Sequence, residues 1–186
     1  VVGSSFFKNM EGTLNGALAI ICVCIWNGFF NSIQTICRER AIIKREHRSG
    51  MHISAYIAAN MIYQLMLCVV QVFITIVVFI ACGVQFPTYG PVTGSFMIDI
   101  SITLFLITYA SDMLALMVSC FVHTTTTAMT VMPFLLIVEL LFSGAAFTLD
   151  DSTKAISNLT VSKWGINAVC SEADYNSLPS VTVRAA

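Results

Sequence analysis

The sequence contains very little charge. Only 10% of its 186 residues are Asp, Glu, Lys or Arg, whereas 57% are hydrophobic. A soluble globular domain usually carries about 25% charged residues, and a soluble fold with so few would expose large apolar patches and aggregate. The composition therefore indicates a protein that has lipid as its solvent. The net charge of −1 gives no reason to expect a nucleic-acid partner.

Common enzyme motifs are also absent from the sequence. No Gly precedes a Lys, so there is no phosphate-binding GxxxxGK[ST] loop, and neither HExxH nor GxSxG occurs. The seven cysteines follow neither a zinc-binding spacing nor a paired framework, and most lie in apolar runs, where free cysteine behaves as a small hydrophobic residue. We therefore expect no catalytic residue, no metal site and no cofactor within this chain.

Four long apolar runs are each able to cross a bilayer as a helix, which needs about 20 mostly apolar residues. Their predicted bounds are 14–36, 53–82, 96–122 and 128–147. A transmembrane barrel would instead show shorter segments of alternating hydrophobicity. The pattern predicts one all-α domain over 1–186, a polytopic transmembrane bundle of about four spans.

Basic residues are concentrated between the first and second runs. The positive-inside rule places this stretch in the cytoplasm, and the segment 148–186 then lies outside the cell. Five of the nine Lys and Arg residues of the chain are found there: Arg38, Arg40, Lys44, Arg45 and Arg48.

The basic stretch also has the features of a docking helix. Glu39, Arg40, Arg45 and Glu46 stand at spacings that suit neighbours on a helix, and apolar residues remain between them. This combination predicts a short amphipathic helix over about 38–50 at the cytoplasmic surface. A solvated basic loop that only sets the membrane topology is the alternative. The interspersed acids and the apolar patch favour docking of a soluble partner, since a topology signal needs neither.

Several polar side chains fall within the predicted spans. Asn27 and Asn31 lie in the first, Glu139 lies in the fourth, and Asp112 shares one face of the third with Ser119. An ionised side chain in hydrocarbon costs at least ~2.5 kcal/mol, so these groups should face protein or water. They are candidates for a substrate path, and hydrogen bonding between helices is the alternative.

Three short motifs occur in a fixed order along the chain. They are Glu39-Arg40, Arg45-Glu46, Gly50 and Tyr56 in the first, Leu141-Phe142-Ser143-Gly144 in the second, and Ser162-Lys163-Trp164 with Ala168 in the third. Together they resemble the permease domain of type-2 ABC exporters, most of all the G-subfamily of white-like half-transporters. Ile43 and His52 stand where that family usually has aromatic residues.

The resemblance implies a function and a set of partners. It implies that 38–50 is a coupling helix in contact with a nucleotide-binding ATPase domain, on the same or a separate chain, and that ATP and Mg²⁺ bind to that domain. It also implies a homo- or heterodimer with the substrate path between two permease copies. The four spans are similar to family helices two to five, so we expect a fragment of a longer protein. The implied function is the permease part of an exporter of hydrophobic or amphipathic substrates in the cell membrane.

Two other classes of function remain open. A non-transporting membrane scaffold or anchor would have no ATPase partner. An ion-coupled carrier would use Asp112 or Glu139 for protons and would be expected to contain inverted repeats, which we do not find in the sequence.

Overall fold

The computed structural model describes residues 10–84, 90–143, 157–174 and 178, and every regular element in these residues is a helix. The predicted all-α fold is therefore confirmed. Gly144 of the second motif, the end of the fourth predicted span at 145–147 and much of the segment 148–186 lie outside the described residues. The helices are α1 (Met10–Ser32), α2 (Thr35–Arg48), α3 (Ile53–Ala81), α4 (Phe96–Phe121), α5 (Thr125–Leu141) and α6 (Val161–Glu172).

The described helices include three stretches that are long and apolar enough to cross a membrane. They are Met10–Arg48, which joins α1 and α2, then Ile53–Ala81 and Phe96–Phe121. Helix α5 is also apolar but has 17 residues, or about 25 Å of helix against a hydrocarbon core of about 30 Å. A polytopic helical bundle follows from these lengths.

Helices α1 and α4 form the centre of the bundle and run parallel. Ser32 bonds to a residue 80 positions later in the chain, and Ile36 bonds to one 83 positions later. The number of residues between contacting partners stays nearly constant only when two helices run in the same direction. Gly28 lets the two backbones approach, because a Cβ there would stand 2.8 Å from the Cβ of Ser111 and 2.9 Å from the carbonyl of Thr108. Small residues at helix crossings are typical of membrane bundles.

Helix α3 lies at the edge of the bundle and buries only a narrow stripe. Gln64, Cys68 and Val72 are its buried residues, and most of its other apolar side chains are exposed, Phe73 by 68% and Ile62 by 64%. In water such a helix would be an aggregation hazard, whereas in a bilayer the same surface faces lipid. The exposure therefore agrees with the membrane environment inferred from composition.

Helix α6 lies within the segment predicted as an extracellular loop, and its composition does not mark it as a helix. It packs on α1 and α4 through Ile166 and Val169, which are 6% and 0% exposed. Gly165 allows the approach, because a Cβ there would stand 2.9 Å from Cδ1 of Ile107. Part of the predicted loop is thus an ordered piece of the core.

Candidate functional site

The amphipathic helix predicted over about 38–50 is present as α2, Thr35–Arg48, and the neighbouring helix α4 caps its first turn. The backbone N–H groups of Ile36 and Cys37 both donate to the hydroxyl oxygen of Ser119, at 3.2 and 3.1 Å. These are two of the N–H groups that a helix leaves without partners at its start. Gln34, at the N-cap position, makes no capping bond with its side chain. Ser119, on another helix, therefore takes the place of an N-cap side chain.

Glu39 and Arg40, near the start of the charged stretch, bond to the membrane-spanning helices. The phenol of Tyr56, in the first turn of α3, donates to Oε2 of Glu39 at 2.6 Å. The guanidinium of Arg40 donates to the carbonyl oxygen of Cys120 in the last turn of α4, where carbonyls lack helical partners and the helix dipole favours a cation. The first half of α2 is thus fastened to both α3 and α4.

Among the described residues, the second half of α2 makes no hydrogen bond to α3 or α4, and it carries exposed charge. Arg45 and Glu46 are exposed, and Ile42, one turn before Glu46, is 48% exposed. The same turn and the next hold further exposed basic side chains, Lys44, His47 and Arg48. This end of the helix offers charges of both signs beside an apolar side chain.

The four residues predicted to couple to an ATPase therefore fall into two pairs. Glu39 and Arg40 bond within the chain, and Arg45 and Glu46 are exposed. That any of them contacts an ATPase stays a prediction. The sequence did not reveal this division, because it depends on Tyr56 and Cys120, which other helices bring to α2.

Asp112 is fully buried at the junction of three helices. Its Oδ1 accepts a 2.7 Å hydrogen bond from the hydroxyl of Ser32 on α1, and its Oδ2 accepts a 2.8 Å bond from the thiol of Cys68 on α3. Asp112 and Ser119 are both 0% exposed and lie on one face of α4, as the spacing predicts. The carboxylate joins helices, which favours the bridging alternative over a lining of the substrate path.

Glu139 makes a separate contact at the start of α6. Its Oε2 accepts a 3.1 Å hydrogen bond from the backbone N–H of Ser162, and its own carbonyl accepts a bond from the Ser162 hydroxyl. Thr160, at the N-cap position of α6, makes no side-chain cap. A carboxylate suits the positive end of a helix, so Glu139 caps α6 from α5. Asp112 and Glu139 thus belong to two different contacts.

Asn27 and Asn31 are half-buried on α1. The side-chain nitrogen of Asn31 is buried without a hydrogen-bond partner among the described residues, while its backbone carbonyl accepts from Thr35 at 3.3 Å. That Asn27 and Asn31 line a substrate path stays a prediction.

Asp99 organises the connection before α4, which the sequence did not indicate. Its carboxylate accepts from the backbone N–H of Val92 at 2.9 Å and from the hydroxyl of Thr93 at 2.6 Å. Gly90 passes so close that a Cβ there would stand 2.5 Å from Oδ2 of Asp99. The carboxylate, buried at 3% exposure, has a structural role.

Glu172, the last residue of α6, hydrogen-bonds to α4. The hydroxyl of Thr103 donates to its Oε1, and its Oε2 is buried without a hydrogen-bond partner in the described structure. Burial raises the pKa of Glu172 above its ordinary value, and the nearby charge of Asp99 adds to the rise, while the bond from Thr103 lowers it.

The described residues bring no three His, Cys, Asp or Glu side chains together as a metal site. The arrangement is one of helices anchored to one another, with a charged, exposed surface at the end of α2.

Comparison with models of known protein families identifies a match over most of the chain. A family model described as ABC-2 type transporter matches residues 1–171 of the chain. No curated protein and no solved structure matches it significantly.

Proposed function

Because the chain belongs to the ABC-2 type transporter family, we propose that it moves hydrophobic or amphipathic substrates out of the cell at the expense of ATP hydrolysed by a partner domain. The chain is a multi-pass integral membrane protein and the permease part of an ABC transporter. Its sequence contains no phosphate-binding loop, so the ATP and Mg²⁺ belong to a nucleotide-binding domain on the same or a separate chain. A second permease copy, identical or different, completes the transporter, and the G-subfamily is the type it resembles.

One observation carries this proposal, the division of α2 into an anchored half and an exposed half. The anchored half bonds to α4 through Ser119 and to α3 through Tyr56. The exposed half presents Arg45 and Glu46 on the side of the membrane that the positive-inside rule assigns to the cytoplasm. A helix that only set topology would need neither the anchors nor the mixed charges.

This arrangement suits the transmission of force. When ATP closes two nucleotide-binding domains, a domain that holds Arg45 and Glu46 displaces the exposed end of α2. A 14-residue helix held by hydrogen bonds at its other end passes that displacement to α3 and α4 together. The spans then change their packing, and the substrate path opens outward.

The ion-coupled carrier is the weaker alternative. Such a carrier needs a carboxylate that exchanges protons with water, but Asp112 is fully buried with Ser32 and Cys68 as donors. Glu139 is likewise bonded to the backbone of α6. Both carboxylates contribute to the packing of the bundle, and Asn27 and Asn31 remain for contact with the substrate.

Photo-crosslinking in the full transporter tests the proposal. A photo-reactive residue in place of Arg45 or of Glu46 should form an adduct with a domain whose peptides include a phosphate-binding loop, identified by mass spectrometry. The same residue in place of Glu11, which is exposed at the start of α1, should form none. Adducts at 45 and 46 with lipid or with unrelated proteins alone would favour a scaffold and contradict the proposal.

A further inference from the structure

The turn between α1 and α2 interrupts what would otherwise be one helix. In an unbroken α-helix the N–H groups of Ile36 and Cys37 would bond to the carbonyls four residues earlier, those of Ser32 and Ile33. Both N–H groups instead donate to Ser119. The break at Ile33–Gln34 therefore depends on an acceptor that α4 supplies.

The turn is held to α4 on both sides. Before it, Ser32 donates to Asp112, and after it, Ile36 and Cys37 donate to Ser119. Asp112 and Ser119 are seven residues apart, about two helical turns, so they lie on the same face of α4. Ser32, Asp112 and Ser119 are all 0% exposed, so water does not compete for these bonds.

A third contact joins α2 to the end of the same helix. Arg40, in the second turn of α2, donates to the carbonyl of Cys120, the residue that follows Ser119. Rotation of α2 about the Ile33–Gln34 turn would break this bond and would strand the two N–H groups on Ser119. Leaving buried polar groups without partners is costly.

We propose that Ser119 is a positioning residue that makes α2 and the cytoplasmic end of α4 move as one rigid body during the ATP-driven cycle. The two-residue turn would otherwise act as a hinge, and α2 would swing without moving the spans. The inference rests on the proposed function, because it concerns how force applied at Arg45 and Glu46 reaches the membrane. Ser119 acts through α2 and contacts neither ATP nor substrate.

Distances between spin labels test the inference. One label replaces Lys44, exposed on α2, and the other replaces Met117, 52% exposed on α4, with the exposed native Cys82 and Cys120 replaced by serine. The distance distribution is measured in the full transporter without nucleotide and again with ATP, Mg²⁺ and vanadate. The same distance in both states supports the inference, and this measurement needs no change at Ser119.

Variants at Ser119 give the second measurement. Ser119→Ala removes the acceptor, so the Lys44–Met117 distances should broaden with ATP and vanadate, and substrate stimulation of ATP hydrolysis should be lost. Ser119→Thr keeps the hydroxyl and should restore both, which a general loss of stability would not do.

The outcomes separate the two proposals. A Lys44–Met117 distance that changes in the parent protein while ATP is hydrolysed contradicts the rigid body and leaves the proposed function intact. The proposed function itself is contradicted by a different result. In that case the nucleotide-binding domain hydrolyses ATP, yet it forms no adduct with α2, and the distance between the Lys44 labels of the two copies does not change with ATP.

Discussion

The hydroxyl of Ser32 donates a 2.7 Å hydrogen bond to Asp112, a residue 80 positions later in the chain. With the thiol of Cys68 on the other carboxylate oxygen, one side chain joins α1, α3 and α4. Hydrogen bonds between helices in membranes stabilise the fold by about 0.6 kcal/mol on average and up to about 1.7. A buried carboxylate that accepts two such bonds is therefore a structural bridge of moderate strength.

Asp112→Leu should lower the free energy of unfolding of the detergent-purified transporter by about 1–3 kcal/mol, because the Ser32 hydroxyl and the Cys68 thiol lose their acceptor. Asp112→Asn keeps an acceptor oxygen and should lose less stability while it retains substrate-stimulated ATP hydrolysis. Melting curves and ATPase assays check both variants. A carrier that moves protons through Asp112 would behave differently, since the asparagine variant would then keep its stability and lose transport.

Glu139→Leu should loosen α6 by removing its cap. Loss of an N-cap costs about 0.5–2 kcal/mol, so hydrogen exchange should speed up at the amides of Val161, Ser162 and Lys163 relative to those of α4. Glu139→Gln keeps an acceptor and should lie between the leucine variant and the parent. Uniformly faster exchange throughout the bundle would show that Glu139 supports the core in general, and unchanged exchange in α6 would show that the cap has no effect.

The sequence was sufficient to predict the long apolar helices and α2, but neither α6 nor the contacts between helices. Long apolar runs identify a membrane helix because the bilayer demands a fixed length of apolar surface. The spacing of charges over 38–50 predicted the helix that the structure shows as α2, whereas its cytoplasmic location stays a prediction. The caps on α2 and α6 could not be predicted, because Ser119 and Glu139 come from other helices. The sequence pattern did not predict helix α6, because its residues are mixed in polarity and its helical stability comes from packing against other helices.

The role of Asp112 shows the same limit. Its position within a span marked it as a group that needs a partner, and its helical face with Ser119 was evident from spacing. Its partners lie 80 and 44 residues away on other helices, and no local pattern gives such separations. A polar residue in a span therefore signals a contact, while only the fold tells whether the contact is with protein or substrate.

Charge reversal on α2 should uncouple the ATPase from the permease. Arg45→Glu combined with Glu46→Arg keeps the net charge and leaves the anchors at Glu39 and Arg40 untouched, so membrane insertion and thermal stability should not change. Substrate-stimulated ATP hydrolysis and substrate export should fall together, because each charged group of the partner domain would then face a charge of its own sign on α2. Glu11→Arg changes charge at the other end of α1 and serves as the control. Full export by the double variant would remove Arg45 and Glu46 from the coupling site.

The location of α2 in the cytoplasm is the claim on which the whole account depends. Two native thiols provide controls for a test by labelling, because Cys82 follows α3, Cys120 lies in the last turn of α4, and both are exposed. With the other cysteines replaced, proteins that retain one thiol at a time are treated in sealed, right-side-out vesicles with a membrane-impermeant maleimide.

Lys44→Cys is the decisive variant, since Lys44 is exposed on α2. We predict that its thiol and that of Cys120 react only after the vesicles are opened, whereas Cys82 reacts at once. Immediate labelling of Lys44→Cys in sealed vesicles would place α2 outside the cell and would contradict its role as the contact for an ATP-driven partner.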